Sequence, residues 1–598
     1  MANKYFPTWA ALGALLAGAA APAAEPPPDA VYVNGTVYTV DGAEHVAEAL
    51  AVRAGRISYV GSSTAARALA GPTTELIDLK GRFLMPGLVD GHMHPLEGGH
   101  MLLTCSLNYE RLTVAQMQAR IQSCLDASRD KEPDQWLKVT GWFREAMVPN
   151  GVTVSRATLD VLKTKRPIFV MSSFGHTALV NSRALKIAGF NAKTPDPTGG
   201  QIAHEPSGEP SGVLEDRANE VLSEHIPAPT PQENVQAATA ALEAMRRQGI
   251  TSFFDAAGSP DTDAVLAAFA GAAKAGALTA RGHLAVHINP EEAARDAHAT
   301  IARARSLADR YDQGTPRPAP SMRVHNIKLF MDGVITAPTL TGAMLEPYFV
   351  NTGSKEHPHW VPGKDRGPDI YYPPQVLFAV LDEAARVHLE PHMHADGDRA
   401  VRAALDGVAS LRRKYPESTI RAAIAHNEIV NPADFPRYKA LGAIPVLSFQ
   451  WEKPAPDTVD GAREYLGPER YRYIEPAGYL AAAGARIAYG SDWPVDPLNE
   501  WFALKVGVTR ENDPAAGPQY AGRLSSDTGL TVAQVLRAIT ANSAYQLHAE
   551  SEVGSLEVGK FADFIVLDRD LLKVPPAQIA QVKVLQTVVG GRTVYMAK

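Results

Sequence analysis

The sequence predicts an α/β fold with a smaller β unit built from its two ends, and three observations carry that prediction. Ten apolar, strand-like runs lie between residues 84 and 492, with alanine-rich helical stretches such as Asn234 to Gln248 and Asp263 to Ala273 among them. Short β runs separated by Asn-Gly and Asp-Gly turns fill residues 30–79, and a matching set at 564–567, 582–589 and 593–596 closes the chain. The third observation is size: 598 residues with 45% hydrophobic side chains can fill a core larger than one ordinary domain, a length that large α/β barrels with insertions reach.

The most informative run is residues 84–95, Leu-Met-Pro-Gly-Leu-Val-Asp-Gly-His-Met-His-Pro. Its last half is a strand pattern that ends in His92 and His94, and a spacing of two on a strand turns both rings to one side, where they can reach one ion. Pro95 stops the pattern at once. Alone, such a pair is more often two surface histidines that lie close by chance. Its company changes the reading, because Lys328, His394, His426 and Asp492 each end, or nearly end, a further apolar run.

This set and its order resemble the amidohydrolase superfamily of metal-dependent hydrolases. The segment 172–182, which contains His176, resembles the superfamily's YtcJ-like branch, amidohydrolase family 3, and the resemblance extends from about residue 30 to the C-terminus. It implies a (β/α)8 TIM-like barrel over residues 83–549, with a β-sandwich composed of residues 30–82 and 550–598. In the superfamily's order the lysine lies on the fourth strand, the single histidines on the fifth and sixth and the aspartate on the eighth. Only two strands then fit between His94 and Lys328, and 250–255 and 280–288 are assigned to them. Residues 101–230 become a large insertion after the first strand, a candidate lid.

The resemblance implies a metal centre of His92, His94, Lys328, His394, His426 and Asp492, with Lys328 carried as N6-carboxylysine whose two oxygens bridge two ions. An unmodified Lys328 paired with Asp332 or Asp396 is the alternative, and it favours a single metal. The imidazole-rich set suits Zn2+, two ions with the carbamate, although other divalent metals can substitute. Amide hydrolysis near neutral pH needs a strong nucleophile and a sink for carbonyl charge, and a divalent metal supplies both by lowering the pKa of water from ~15.7 toward ~7. Asp492 is the expected proton acceptor and donor, and His176 the expected hydrogen-bond donor to the carbonyl oxygen or the substrate, although a lone loop histidine is as often structural.

Asp398 and Arg399, in the family's GDRA pattern, are expected to orient the loop after His394 by charge pairing. Asp396 stands where that pattern has a small apolar residue, and its role is open. His392 reads as a core or supporting group, and Glu215 and Gln450 as pocket residues.

The reaction expected is hydrolysis of a non-peptide C–N bond in a small amide, N-acyl or N-formyl substrate by metal-activated hydroxide. An esterase or lactonase would use the same centre. Deaminases of the superfamily carry a glutamate three residues after the fifth-strand histidine, and Gly397 occupies that position. A periplasmic ligand-binding module is the reading outside catalysis, and the full ligand set weighs against it.

Lys4, an apolar stretch over residues 9–20 and Ala21-Pro22-Ala23 read as a signal peptide over residues 1–24, cleaved near Ala23 or Ala24, and hence as an exported, periplasmic enzyme with no membrane span in the mature chain. In that compartment Cys105 and Cys124, the only cysteines, either bond or remain separate buried thiols. A formal charge of -7 leaves no basic footprint for nucleic acid. A homodimer is the base-rate expectation.

Overall fold

The computed structural model describes residues 1 and 25–598 except 150, 174, 176, 198, 199, 260, 338 and 355, so the expected signal peptide and His176 lie outside the described residues. Eight parallel strands, hydrogen-bonded in chain order, form a nearly closed barrel: β1 Leu88–Met93, β2 Ile250–Asp255, β3 Arg281–His287, β4 Met322–Phe330, β5 Glu390–Ala395, β6 Ala423–His426, β7 Ile444–Leu447 and β8 Ala488–Tyr489. These strands are apolar on both faces because both are covered. Phe253, Leu284 and Ile424 join the buried layer shared with the outer helices, whereas their neighbours Phe254, Ala285 and Ala425 belong to clusters within the barrel.

The seam between β8 and β1 is bridged just beyond the strands. The Asp492 amide donates to the His92 carbonyl at 2.8 Å and the His94 amide to the Trp493 carbonyl at 2.7 Å. Helices enter the barrel through local signals in the sequence. The helix Pro231–Gln248 starts at Thr230, whose hydroxyl accepts from the Glu233 amide while Glu233 accepts from the Thr230 amide, and it ends at Gly249 with φ 92°, a left-handed conformation that favours glycine.

The apolar run 83–93 is two strands, and the boundary expected at residue 82 moves to Gly87. Phe83–Pro86 pairs in parallel with Thr36–Tyr38 and antiparallel with Phe564–Leu567, so it belongs to a six-stranded sheet made from both chain ends. Gly87 sits where a Cβ would meet the Thr251 side chain at 2.2 Å, and its amide donates to the Asp563 carbonyl. A second sheet of four strands, all from residues 30–78, shares with the first a buried cluster that includes Tyr32, Leu50, Leu84, Phe564 and Val588.

Between β1 and β2 the chain forms another six-stranded sheet, from Cys105–Ser106 to Pro210–Asp216, with its own buried cluster around Met117, Ile121, Val139 and Trp142. Cys105 and Cys124 are bonded and tie the sheet's edge to the helix Val114–Ala127. Tyr109 reaches back to the barrel, where its hydroxyl donates to the Pro494 carbonyl at 2.5 Å, two residues past Asp492. Among the described residues, no helix is long and apolar enough to cross a membrane.

Candidate metal centre

The C-terminal ends of the barrel strands gather two groups of donors. His92 and His94, at the end of β1, meet Asp492, which follows β8: the Nε2 atoms lie 3.2 and 3.1 Å from Asp492 Oδ1. His394 of β5 and His426 of β6 form the second group, together with Asp396. The His92 and His426 rings, one from each group, have centroids 4.7 Å apart. Lys328, fully buried on β4, places Nζ 3.5 Å from His92 Nε2 and over the Phe330 ring. The ion pair of Lys328 with Asp332 or Asp396 is not formed, since among the described residues no carboxylate lies within 4.0 Å of Nζ.

The backbone works to place these groups. Asp90 Oδ1 accepts from the amides of both His92 and Ser491 at 3.1 Å, which locks the two ligand-bearing chain ends together across the seam. His92 Nδ1 is 2.7 Å from His392 Nε2, which leaves His92 Nε2 turned toward Asp492 and shows what the first histidine of the strand run 390–395 does. His426 and Asp492 have φ of 72° and 52°, left-handed positions that cost about 1–3 kcal/mol each and are held by their surroundings. For His426 the hold is the next residue: Asn427 donates its side-chain amide to the Ile424 carbonyl at 2.8 Å and accepts from the Tyr438 hydroxyl.

Gly490 is the tightest point of this frame. A Cβ there would lie 2.3 Å from His92 Cβ and 2.7 Å from its amide nitrogen. Gly490→Ala is therefore expected to push His92 away from Asp492 and weaken metal binding roughly 10–100-fold, as loss of ligand support does. Titration of the purified apo variant with zinc checks this, and an unchanged affinity would show that the seam tolerates the displacement.

The electrostatics favour donors in their binding forms. Burial, with the Lys328 charge next for His92 and His392 and the His394 charge next for His426, holds these three imidazoles well below the usual histidine range, and the same burial and Lys328 bring His394 down to about 3. His94 is the exception. Burial opposes its charging, but the Asp492 carboxylate beside it raises it, and burial's opposite pull on Asp492 is likewise outweighed by His94, His426 and Lys328, so the carboxylate is held below its usual range. Burial alone brings the Lys328 amine down to about 7 against the pull of Asp492, Asp396 and Asp255.

The residues fit divalent transition metal. Neutral imidazoles and carboxylates are the donor types zinc takes. The contacts of 3.1 and 3.2 Å at Asp492 approach the edge of about 3.3–3.4 Å of a tetrahedron with 2.0–2.1 Å bonds. Despite those distances Asp492 Oδ1 makes no oriented hydrogen bond, and His94 Nδ1, His426 Nδ1 and Asp396 Oδ1 are also buried without a partner among the described residues.

The remaining expected site residues have other engagements. Asp398 and Arg399 do not pair with each other. Asp398 accepts from the Leu345 amide at 2.7 Å, while Arg399 donates to the Pro368 carbonyl at 2.5 Å, so the two charges fasten the loop 342–368 to the start of the helix Asp398–Lys414. Glu215 is held inside the insertion by Arg144 at 2.7 Å and Thr177 at 2.5 Å. Gln450 donates to the Ser491 carbonyl beside Asp492, with Oε1 unpartnered among the described residues. Sequence reasoning passed over Asp90 and Trp451, whose ring stacks on His426 with centroids 5.4 Å apart. Asp90 had a visible signal, two residues before His92 on the same strand face.

Comparison with known proteins agrees with this geometry. The amidohydrolase family model matches residues 75–595. YtcJ of Bacillus subtilis is 27% identical over 578 residues, which cover 95% of this chain and 99% of that protein. The N-substituted formamide deformylase of Arthrobacter pascens is 25% identical over 569 residues, 94% of this chain and 97% of the enzyme. Among solved structures, an uncharacterized metal-dependent hydrolase from Pyrococcus horikoshii shares the fold with a TM-score of 0.70 at 21% identity, covering 92% of this chain and 99% of its own.

Proposed function

The chain belongs to the amidohydrolase family and is a metal-dependent hydrolase, and from that premise we propose that it cleaves the C–N bond of a small non-peptide amide, an N-acyl or N-formyl compound, at a centre for two zinc ions. The observation that carries this reading is the pair of donor groups meeting at the His92 and His426 rings. Similarity to a formamide deformylase along nearly the whole chain supports the bond type. When bound, the metal supplies a Lewis acid for the carbonyl oxygen and brings the pKa of water from ~15.7 toward ~7.

The protein's own groups do the rest. Asp492, whose carboxylate is kept ionised by His94, takes the proton of the attacking water and returns it to the leaving nitrogen. Lys328, buried and able to lose its proton near neutrality, combines with CO2 to present a carbamate between the two donor groups. His176 donates a hydrogen bond to the carbonyl oxygen, and the insertion at 101–230, fastened by Tyr109 to Pro494, acts as the lid that excludes water. The enzyme works in the periplasm after removal of its leader.

Ring deamination is disfavoured by the chain's shape as well as its composition. Gly397 stands where a deaminase glutamate belongs, and a Cβ on it would lie 2.2 Å from the Ala343 carbonyl oxygen. The testing experiment measures metal per chain, then turnover of formamides, N-acyl amino acids, lactones and aminopurines before and after chelation. Amide cleavage that chelation removes and zinc restores is expected. Preferential turnover of lactones or aminopurines would overturn the assignment of bond type.

A further inference from the structure

We propose that Asp396 is a direct ligand of the second divalent cation, held with His394 and His426 apart from the group of His92, His94 and Asp492. This rests on the reading of the chain as a two-metal hydrolase and adds to it a carboxylate donor at the second position.

His394 is the penultimate residue of β5 and Asp396 the first residue past its end, and donor atoms of the two lie within 4.8 Å of each other at the barrel mouth. The backbone that carries Asp396 is fixed on both sides of the peptide. Its amide donates to Asp332 Oδ1 at 3.1 Å, the following amide of Gly397 donates to Asp332 Oδ2 at 2.9 Å, and its carbonyl accepts from the Ile429 amide at 3.0 Å. Asp332 also accepts from the Ala343 amide at 2.7 Å, so its own carboxylate is spent on holding three peptide groups. Asp396 is thereby aimed rather than merely present.

What it is aimed at is the unfilled requirement. Asp396 is 1% exposed, and its Oδ1 has no hydrogen-bond partner among the described residues. No lysine or arginine nitrogen among them lies within 4.0 Å; the one cationic candidate in range is His394, at 3.6 Å, too far for a hydrogen bond. Burial strongly disfavours a carboxylate with no cation and no donor beside it. Its neighbours supply the identity of the missing partner. The His394 and His426 rings have centroids 4.5 Å apart, His426 Nδ1 is also unpartnered, and one donor atom from each of the three residues lies within 4.8 Å of the others. Two imidazoles and a carboxylate converging in a buried pocket form a donor set for zinc or a similar ion.

The test is zinc stoichiometry and affinity of the full chain, by metal analysis and competition with a chromophoric chelator, for wild type, Asp396→Asn and Asp396→Glu. Wild type is expected to hold two ions, Asp396→Asn to lose one or bind it at least tenfold more weakly, and Asp396→Glu to recover part of the loss. A wild type that takes up no metal would sink the hydrolase reading itself. A wild type with two ions and an Asp396→Asn protein with the same two affinities would overturn only the ligand assignment, and would mark Asp396 as a protonated carboxyl. Circular dichroism of the apo variants controls for folding. If Asp396→Asn fails to fold, crystals of zinc-loaded wild type decide: an Asp396 oxygen within about 2.0–2.2 Å of an ion supports the assignment, and a separation beyond 3 Å rejects it.

Discussion

Asp492→Asn is expected to lower kcat on the amide substrate by about 10²–10⁴-fold, the range that a positioned proton-transfer group contributes. Asparagine is the informative replacement because Asp492 has φ 52°, and asparagine occupies that left-handed region as readily as aspartate does. The amide hydrogen bond from residue 492 to the His92 carbonyl, which bridges the barrel seam, is a backbone feature and survives the change. What is lost is a negative oxygen 3.1 Å from His94 Nε2 and 3.2 Å from His92 Nε2, together with its capacity to take a proton. Since the same oxygen is a metal donor, rates must be compared at saturating zinc with the metal content measured in each sample. A fully loaded variant within tenfold of wild type would remove Asp492 from the proton path. The pH profile gives a second reading: His94 holds the wild-type carboxyl low, so its acid limb lies at low pH, and that limb should vanish in the variant.

Much of this site was legible in the sequence because a parallel barrel writes its active residues at the ends of apolar runs. His92, Lys328, His394 and His426 each sit within the last residues of a strand, and the two strands chosen between His94 and Lys328 are those that form, Ile250–Asp255 and Arg281–His287. The run at 83–93 misled at its start, because a strand of an end sheet and a strand of the barrel are both apolar on both faces and leave the same composition. Only Pro86-Gly87 marks the change of sheet. The hydrogen-bond partners of Asp332, Asp398 and Arg399 were out of reach for a different reason: they are backbone amides and carbonyls of loops, and no side-chain identity encodes them. Asp396 had a partial signal in the spacing His392, His394, Asp396, but a role for it needed the position of His426, which comes from another strand.

Recovery of the chelated apoenzyme with zinc is expected to depend on bicarbonate, and Lys328→Met is expected to abolish that dependence together with most of the activity. The lone pair of a neutral Lys328 amine attacks the carbon of CO2, the N–C bond forms, and the amine proton leaves to solvent. Protonated lysine cannot react. With burial holding the amine at about 7, roughly a tenth of it is neutral at about pH 6 and roughly nine tenths at about pH 8. At a fixed concentration of dissolved CO2, the rate of recovery should therefore rise about tenfold across that interval, increasing with pH because the reactive form lies above the pKa. His92, His394 and His426 are held below their usual range and shed no protons there, but His94 is raised by Asp492 and contributes its own pH dependence to metal uptake. A parallel series without bicarbonate measures that share, and the ratio of the two series isolates Lys328. Recovery that is equally fast in CO2-depleted and bicarbonate-supplemented buffer at every pH would mean that no carbamate forms. Lys328 would then serve as a plain amine beside His92, and Asp396 would be the anionic donor on which the second ion depends.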